Sequence, residues 1–111
     1  NGLITYDPET QTWQKDFPPI PGSKPPFSSI VVKFNKEIWV ISGRGNDEGT
    51  KAWIYTPQEK KWKAGPSFPY PTMWANGIEV NGRLYIFGGA TQSKILNTYV
   101  YWDAIRVLNN D

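Results

Sequence analysis

The chain of 111 residues contains no cysteine and no histidine. Without cysteine it can form no disulfide bond and offers no thiolate to a metal ion. Without histidine it lacks the commonest metal ligand and the side chain that most often acts as a general acid or base near neutral pH. The sequence therefore predicts no metal, no other cofactor and no catalytic residues of its own.

Concentrated charge and long apolar runs are also missing. The net charge is only +2, and the lysines and arginines are spread along the chain. Nucleic-acid-binding proteins typically carry a basic patch, which this distribution does not provide. No apolar stretch approaches the roughly 20 residues that a membrane-spanning helix needs. Neither a nucleic acid nor a membrane is therefore expected as a partner.

Proline and glycine leave little room for helices. The ten prolines and ten glycines are distributed so that no long helical window survives. Between them lie short runs rich in β-branched and aromatic residues, which is the composition of strands. These features predict an all-β fold.

Two stretches of the sequence occur twice. The stretch "YDPETQTW" at 6–13 shares its tyrosine, proline and tryptophan with "YTPQEKKW" at 55–62, 49 residues later. The stretch "NKEIWVISG" at 35–43 matches "NGRLYIFGG" at 81–89, 46 residues later. A repeat of about 45–50 residues made of short strands is typical of a β-propeller blade, which buries its faces against the neighbouring blades.

Each repeat divides into four strands, A to D, joined by recognisable turns. Asn35-Lys36 and Asn81-Gly82 are expected to join A to B as tight hairpins. Pro8 is expected at the second position of a type I turn between C and D. The strands are predicted at 28–34 and 73–80 for A, 37–42 and 83–88 for B, and 52–55, 3–6 and 98–101 for C, with Trp13 or Trp62 on D.

This assignment predicts an incomplete propeller of four-stranded antiparallel sheets. Residues 1–22 supply the C and D strands of one blade, 23–71 form a complete blade, and 72–111 supply the A to C or D strands of the next. The tryptophans that recur at blade positions are expected to pack between sheets rather than to form a platform for a sugar; they are Trp13, Trp39, Trp53 and Trp62.

The spacing of glycine, tyrosine and tryptophan resembles the kelch repeat. In the complete blade, Gly43 is followed by Tyr55 after twelve residues and by Trp62 after seven more, and Ser42 replaces the first glycine of the usual pair. The next copy begins with Gly88-Gly89 and Tyr101, but Leu108 stands in place of the tryptophan. The resemblance implies a kelch-type β-propeller, closed either by neighbouring blades of a longer chain or by further copies of this chain in a homo-oligomer.

The same resemblance implies where another protein would bind. Kelch propellers use the B–C and D–A loops on one face, which correspond here to 43–51, 89–95, 20–27 and 68–74. The candidate partner-binding residues are Arg44, Asn46, Asp47, Glu48, Tyr70 and Trp74. A solvated connector without a ligand is the alternative for the polar loop. Kelch proteins that recruit substrates to ubiquitin ligases often carry an arginine where Pro26 and Thr72 stand, so a basic pocket for an acidic peptide is not expected.

A protein–protein interaction module is therefore the first functional hypothesis. The alternative is part of a propeller enzyme that acts on a sugar, because the stretch "EIWVISGRG" at 37–45 resembles kelch-type sialic acid mutarotases. A purely architectural role is a third hypothesis, and the sequence does not separate it from the first.

Overall fold

Three antiparallel sheets make up the regular structure of the described residues. A computed structural model describes residues 3–22, 28–43, 50–69, 71–93, 98–101 and 105–109. The strands within these ranges are β1 Thr5–Asp7, β2 Thr12–Gln14, β3 Ile30–Phe34, β4 Glu37–Ile41, β5 Ala52–Thr56, β6 Lys61–Ala64, β7 Met73–Val80, β8 Arg83–Ser93, β9 Thr98–Tyr101 and β10 Ile105–Asn109. In these ranges there is no helix long and apolar enough to cross a membrane. The all-β prediction is confirmed.

The second sheet is a four-stranded blade in the order β3-β4-β5-β6, with each strand antiparallel to the next. Its A–B turn has φ values of 53° at Asn35 and 62° at Lys36, and the third sheet repeats them with 52° at Asn81 and 79° at Gly82. Two successive positive φ angles define the tight hairpin turn whose twist matches that of the flanking strands. Both predicted A–B hairpins are therefore confirmed.

The C–D hairpins are built alike in the first and second sheets. In the second sheet, the Thr56 carbonyl accepts hydrogen bonds from the backbone N–H groups of Glu59 at 3.2 Å and Lys60 at 2.8 Å. The Glu59 bond is the closure expected of a type I turn that has Pro57 at its second position. Lys60 and its counterpart Gln11 then take positive φ values of 55° and 57°, which direct the chain into the returning strand.

The two C–D hairpins also hold the same aromatic pair. Tyr6 lies directly opposite Trp13, and Tyr55 directly opposite Trp62. The ring centroids are 4.8 Å apart at 50° in the first pair and 5.1 Å apart at 55° in the second. The repeated tyrosine and tryptophan therefore form the same cross-strand contact twice.

The expectation that Trp13 packs between sheets is wrong. Its side chain is 70% exposed, whereas Trp39 is buried and Trp62 is half-buried. The reason lies in the first sheet, which has only two strands among the described residues, so no further strand or sheet covers this face of the hairpin. Burial at this position depends on neighbouring structure and does not follow from the motif alone.

The third sheet departs from the second in its register. In the second sheet Tyr55 pairs with Ile38, and the repeat of 46 would place Tyr101 opposite Leu84. Tyr101 instead lies opposite Ala90, six residues farther along β8. This is possible because β8 has 11 residues where β4 has 5.

Residues 83–87 of β8, which β9 does not contact, pair instead with β10. The sheet therefore has β8 between β7 on one side and both β9 and β10 on the other. Residues 98–101 form the predicted C strand. Residues 105–109 pair with β8 and therefore do not continue the sheet beyond that C strand. The division of the chain into blades at residues 23 and 72 stays a prediction.

The hydrophobic core lies between the second and third sheets. Along β3, Ile30, Val32 and Phe34 are buried while Val31 and Lys33 between them are exposed. This alternation turns one face of the strand towards the neighbouring sheet. The same core contains Trp39, Ile41, Ala52, Ile54, Phe68, Ala75, Leu84 and Ile86.

The two sheets approach each other most closely where β3 meets β7. A Cβ atom added to Gly77 would lie 2.9 Å from Cγ2 of Ile30, closer than real side chains pack. Gly77 therefore allows this contact by having no side chain. On the opposite face of the third sheet, Ile78, Val80 and Phe87 are exposed.

Hydrogen bonds join the same two sheets at one end. Ser42, which is fully buried, donates through Oγ to the Thr72 carbonyl at 2.9 Å and accepts from the Thr72 N–H at 2.8 Å. The Gly43 N–H donates to the same carbonyl at 2.8 Å. Ser42 has a φ of 59°, close to the 64° of its counterpart Gly88. Ser42 thus adopts a backbone conformation that favours glycine, and its hydroxyl supplies contacts that glycine could not make.

Substitution of Gly77 by valine is expected to lower the free energy of unfolding by about 3 kcal/mol, because the new side chain would force β7 away from Ile30. Gly82→Ala is the matched control, since nothing lies within 4 Å of its added Cβ and only its φ of 79° is unfavourable. That control is expected to cost about 1 kcal/mol. Urea titration followed by circular dichroism measures both, and equal losses would contradict the close approach.

Substitution of Ser42 separates its hydrogen bonds from its backbone strain. Ser42→Ala is expected to lower the free energy of unfolding by about 1–3 kcal/mol, because the buried Thr72 N–H loses its acceptor. Ser42→Gly loses the same bonds but relieves the left-handed strain, so it is expected to be about 1 kcal/mol more stable than Ser42→Ala. A Ser42→Ala variant as stable as the unsubstituted chain would show that the hydroxyl contributes nothing.

Candidate functional site

The B–C and D–A connections meet at one edge of the sheets, here called the loop edge. It comprises the C-terminal end of β4, the first residues of β3, β5 and β7, and the segment 65–72 that follows β6. Antiparallel pairing produces this arrangement, because Ile30 at the start of β3 lies opposite Ile41 at the end of β4. Met73 at the start of β7 similarly lies opposite Ala90 in β8.

Backbone hydrogen bonds fix both flanks of the polar B–C loop. The Ser42 N–H donates to the Lys51 carbonyl at 2.8 Å, which closes the base of the loop. The Ser29 hydroxyl donates to the Ser42 carbonyl at 2.9 Å. The candidates Arg44, Asn46, Asp47 and Glu48 lie in this loop and outside the described residues.

The D–A segment is held against the start of β5. The Gly65 N–H donates to the Ala52 carbonyl at 2.9 Å, and the Phe68 N–H donates to the Thr50 carbonyl at 2.8 Å. The Phe68 side chain is buried in the core, which anchors the segment on its apolar side. The candidate Tyr70 falls within this segment but outside the described residues.

Trp74 is the sequence-predicted candidate that the structure describes. Trp74 is 51% exposed although it lies in strand β7. Its backbone N–H donates to the Ser28 carbonyl at 3.2 Å. Its φ is 62°. A positive φ is unusual for a bulky aromatic residue and costs about 1–3 kcal/mol, so it persists only where surrounding contacts impose it.

The contacts that impose this conformation lie on both sides of Trp74. Thr72, two residues before it, is tied to Ser42 and Gly43 by the three hydrogen bonds described above. Gly89 on the facing strand has a φ of 93°, and an added Cβ there would lie 2.9 Å from the Ala75 Cβ. The neighbouring pairs Met73–Ala90 and Ala75–Gly88 are in register on either side. Trp74 is therefore held at the surface by the backbone around it.

Sequence reasoning missed the residues that fix the loop edge. The hydroxyls of Ser42 and Ser29 and the backbone of Thr72 connect the two loops, yet none of them was a candidate. One signal was present, because Ser42 interrupts the glycine pair of the repeat. The Thr72 hydroxyl is buried and has no hydrogen-bond partner among the described residues.

The loop edge carries little fixed charge in its described part. The Lys63 Nζ lies 3.0 Å from the Glu37 carboxylate, which also accepts a hydrogen bond from the Thr56 hydroxyl at 3.1 Å. Glu37 and Thr56 lie near the A–B and C–D turns, at the opposite end of the sheet. Among the described residues, no three acidic, histidine or cysteine side chains are grouped so as to hold a metal ion.

Comparison with known proteins places these features in a family. No protein-family model matches the chain. It is 36% identical over 103 residues to human "Kelch repeat and BTB domain-containing protein 12", and 33% identical over 102 residues to the zebrafish protein of that name. These alignments cover 80% and 79% of this chain. The chain spans only 16% of the length of either relative.

Two further similarities extend the comparison. Beta-scruin of Limulus polyphemus is 30% identical over 97 residues, which is 80% of this chain and 10% of that protein. The solved structure of YjhT superimposes with a TM-score of 0.67 at 26% sequence identity, covering 84% of this chain and 26% of YjhT. The antiparallel sheets, the repeated hairpins and these relatives agree. The chain belongs to the kelch-repeat family of β-propeller proteins.

Proposed function

We propose that the chain is a protein–protein interaction module that presents its B–C and D–A loops to a partner protein, with Trp74 as the central contact. The observation that carries the proposal is the strained, half-exposed Trp74, fixed at the loop edge. Tryptophan is enriched among the residues that contribute most to binding at protein interfaces. A backbone already fixed at this position also loses less conformational freedom when a partner binds.

The polar candidates are proposed to surround this contact. Ser42 and Lys51 hold the two flanks of the B–C loop at the same edge as Trp74. Arg44, Asn46, Asp47 and Glu48 lie between those flanks, and Tyr70 lies four residues before Trp74 in the D–A segment. A polar rim around an aromatic centre is the usual composition of an interface between proteins.

Neighbouring blades are proposed as a second kind of partner. The exposed face of the third sheet carries Ile78, Val80 and Phe87, which is the kind of face that adjacent blades cover in a propeller. Either further blades of a longer chain or other copies of this chain would serve. Measurement of the solution mass by light scattering distinguishes a fixed oligomer from a monomer.

A propeller enzyme that acts on a sugar, such as a sialic acid mutarotase, is the second candidate function. It rests on the resemblance of residues 37–45 to such enzymes. The test follows the mutarotation of N-acetylneuraminic acid by NMR. A rate higher with the chain than without it would favour this candidate over the interaction module.

Trp74→Gly is expected to separate binding from stability. Removal of the indole should weaken capture of a partner from a native extract about thirtyfold, the effect of losing a 2 kcal/mol contact. The free energy of unfolding should stay within about 1 kcal/mol of the unsubstituted value, because relief of the left-handed strain offsets the lost half-buried contact. Quantitative mass spectrometry of the captured proteins and urea titration measure the two effects.

The matched control is Val31→Ala, which removes an exposed apolar side chain on the face of β3 away from the core. Partners that depend on the loop edge should be captured equally by this control and by the unsubstituted chain. Equal capture by the Trp74→Gly variant would contradict the proposed role of Trp74.

A further inference from the structure

The A–B turn of the third sheet contains an asparagine followed by a glycine. Asn81 is exposed and Gly82 is half-buried. This exposure does not depend on the open face of the third sheet, because the equivalent turn of the second sheet, at Asn35 and Lys36, is exposed although the third sheet packs against the second. Solvent therefore reaches the Asn81 amide at the tip of the hairpin.

An asparagine followed by glycine can modify itself. The backbone nitrogen of the glycine attacks the side-chain amide carbon of the asparagine, and glycine hinders this attack least because it has no Cβ. A bond forms between the Gly82 nitrogen and Cγ of Asn81, the Cγ–Nδ2 bond breaks, and ammonia leaves with the proton of the Gly82 N–H. Water then opens the resulting succinimide at either carbonyl, which gives aspartate or isoaspartate.

The attacking nitrogen of this turn is held by a carboxylate. Gly82 lies outside the strand ladder, whose last pair is Val80 with Arg83. Its N–H donates to Oε2 of Glu79 at 2.7 Å. The attack requires this N–H to lose its proton, which would break a charge-assisted hydrogen bond and place a developing negative charge beside the carboxylate. The contact with Glu79 therefore opposes the reaction.

A second Asn-Gly pair provides an internal comparison. Asn76 is exposed as well, but it lies within β7 opposite Phe87, and Gly77 lies opposite Ile86. The ladder keeps this backbone extended, and Gly77 is packed against Ile30. The Gly77 nitrogen and the Asn76 amide cannot approach each other unless the strand opens. In the folded chain Asn76 is therefore expected to stay unmodified.

We propose that Asn81 is a site of spontaneous deamidation in the folded chain and that the Glu79 carboxylate slows the reaction there. The product carries one more negative charge. Isoaspartate also adds one carbon to the backbone of a two-residue turn that fixes the register of β7 and β8. Because β7 contains the close contact at Gly77, deamidation is expected to loosen the packing of the third sheet on the second.

This site lies at the end of the sheets opposite the loop edge, so it does not depend on the function proposed for Trp74. The test incubates the whole chain, and the free peptide EVNGRLY that reproduces residues 79–85, at neutral pH and body temperature. Trypsin releases residues 64–83 as one peptide that contains both Asn76 and Asn81. Mass spectrometry with electron-transfer fragmentation then measures the fraction of aspartate and isoaspartate at each position.

Asn81 of the folded chain is expected to react measurably, but about tenfold more slowly than in the free peptide, where the Glu79 contact is not held in place. Glu79→Gln keeps an acceptor and removes the charge, so it should speed deamidation of Asn81 in the chain about fivefold. Glu79→Ala removes both, so it should speed the reaction at least tenfold.

Two controls locate the effect. Glu59→Gln removes the same charge from the exposed C–D turn of the second sheet and should leave the rate at Asn81 unchanged. In urea, Asn76 and Asn81 should react at similar rates, and Glu79→Gln should then have no effect, because the turn is no longer formed. Circular dichroism confirms that each variant retains its β content before incubation.

Four results would overturn the proposal. The site would be wrong if Asn81 stayed unmodified even in the Glu79→Ala chain, or if Asn76 reacted as fast as Asn81 in the folded chain. The role of the carboxylate would be wrong if neither Glu79 variant changed the rate. It would also be wrong if both variants slowed the reaction, since Glu79 would then act as the base that removes the proton.

Discussion

The packing of the second sheet against the third is the interaction on which the rest of the structure depends. Each sheet is a single layer, and a single layer cannot bury both of its faces. The contact is close because Gly77 has no side chain where Ile30 approaches it. Burial of side chains such as Ile30, Leu84 and Ile86 contributes about 1.5–3 kcal/mol each. Without this contact, the positions of the loops at one end of the sheets would not be defined relative to each other.

The hydrogen bonds of Ser42 carry that packing to the loop edge. They join the end of one sheet's second strand to the start of the next sheet's first strand. The position of Thr72 then constrains the backbone at Trp74, whose left-handed conformation would not persist in a free strand. The backbone that carries an exposed aromatic side chain is thereby fixed by buried hydrogen bonds, which is how a rigid scaffold can give an interface a defined shape.

The sequence predicted those parts of the fold that depend on nearby residues. The turns at Asn35-Lys36 and Asn81-Gly82 follow from the residue types within a hairpin, and the structure confirms them. The register of β9 and the exposure of Trp13 were not predictable, because both depend on strands and surfaces distant in sequence. At the candidate site, Trp74 was recognised as an exposed aromatic, but neither its φ angle nor the role of Ser42 could be read from the motif.

The duplicated C–D hairpin has a consequence for the order in which the chain folds. Tyr6 and Trp13 are separated by seven residues, as are Tyr55 and Trp62, whereas Ile30 and Gly77 are separated by 47. A contact between residues near each other in sequence requires only a small loop of chain and forms within microseconds. A contact between distant residues requires a larger loop and forms more slowly. The hairpins are therefore expected to form first and to dock later. On such a route the close approach at Gly77 governs mainly how fast the native state opens, and the aromatic pairs govern how fast it forms.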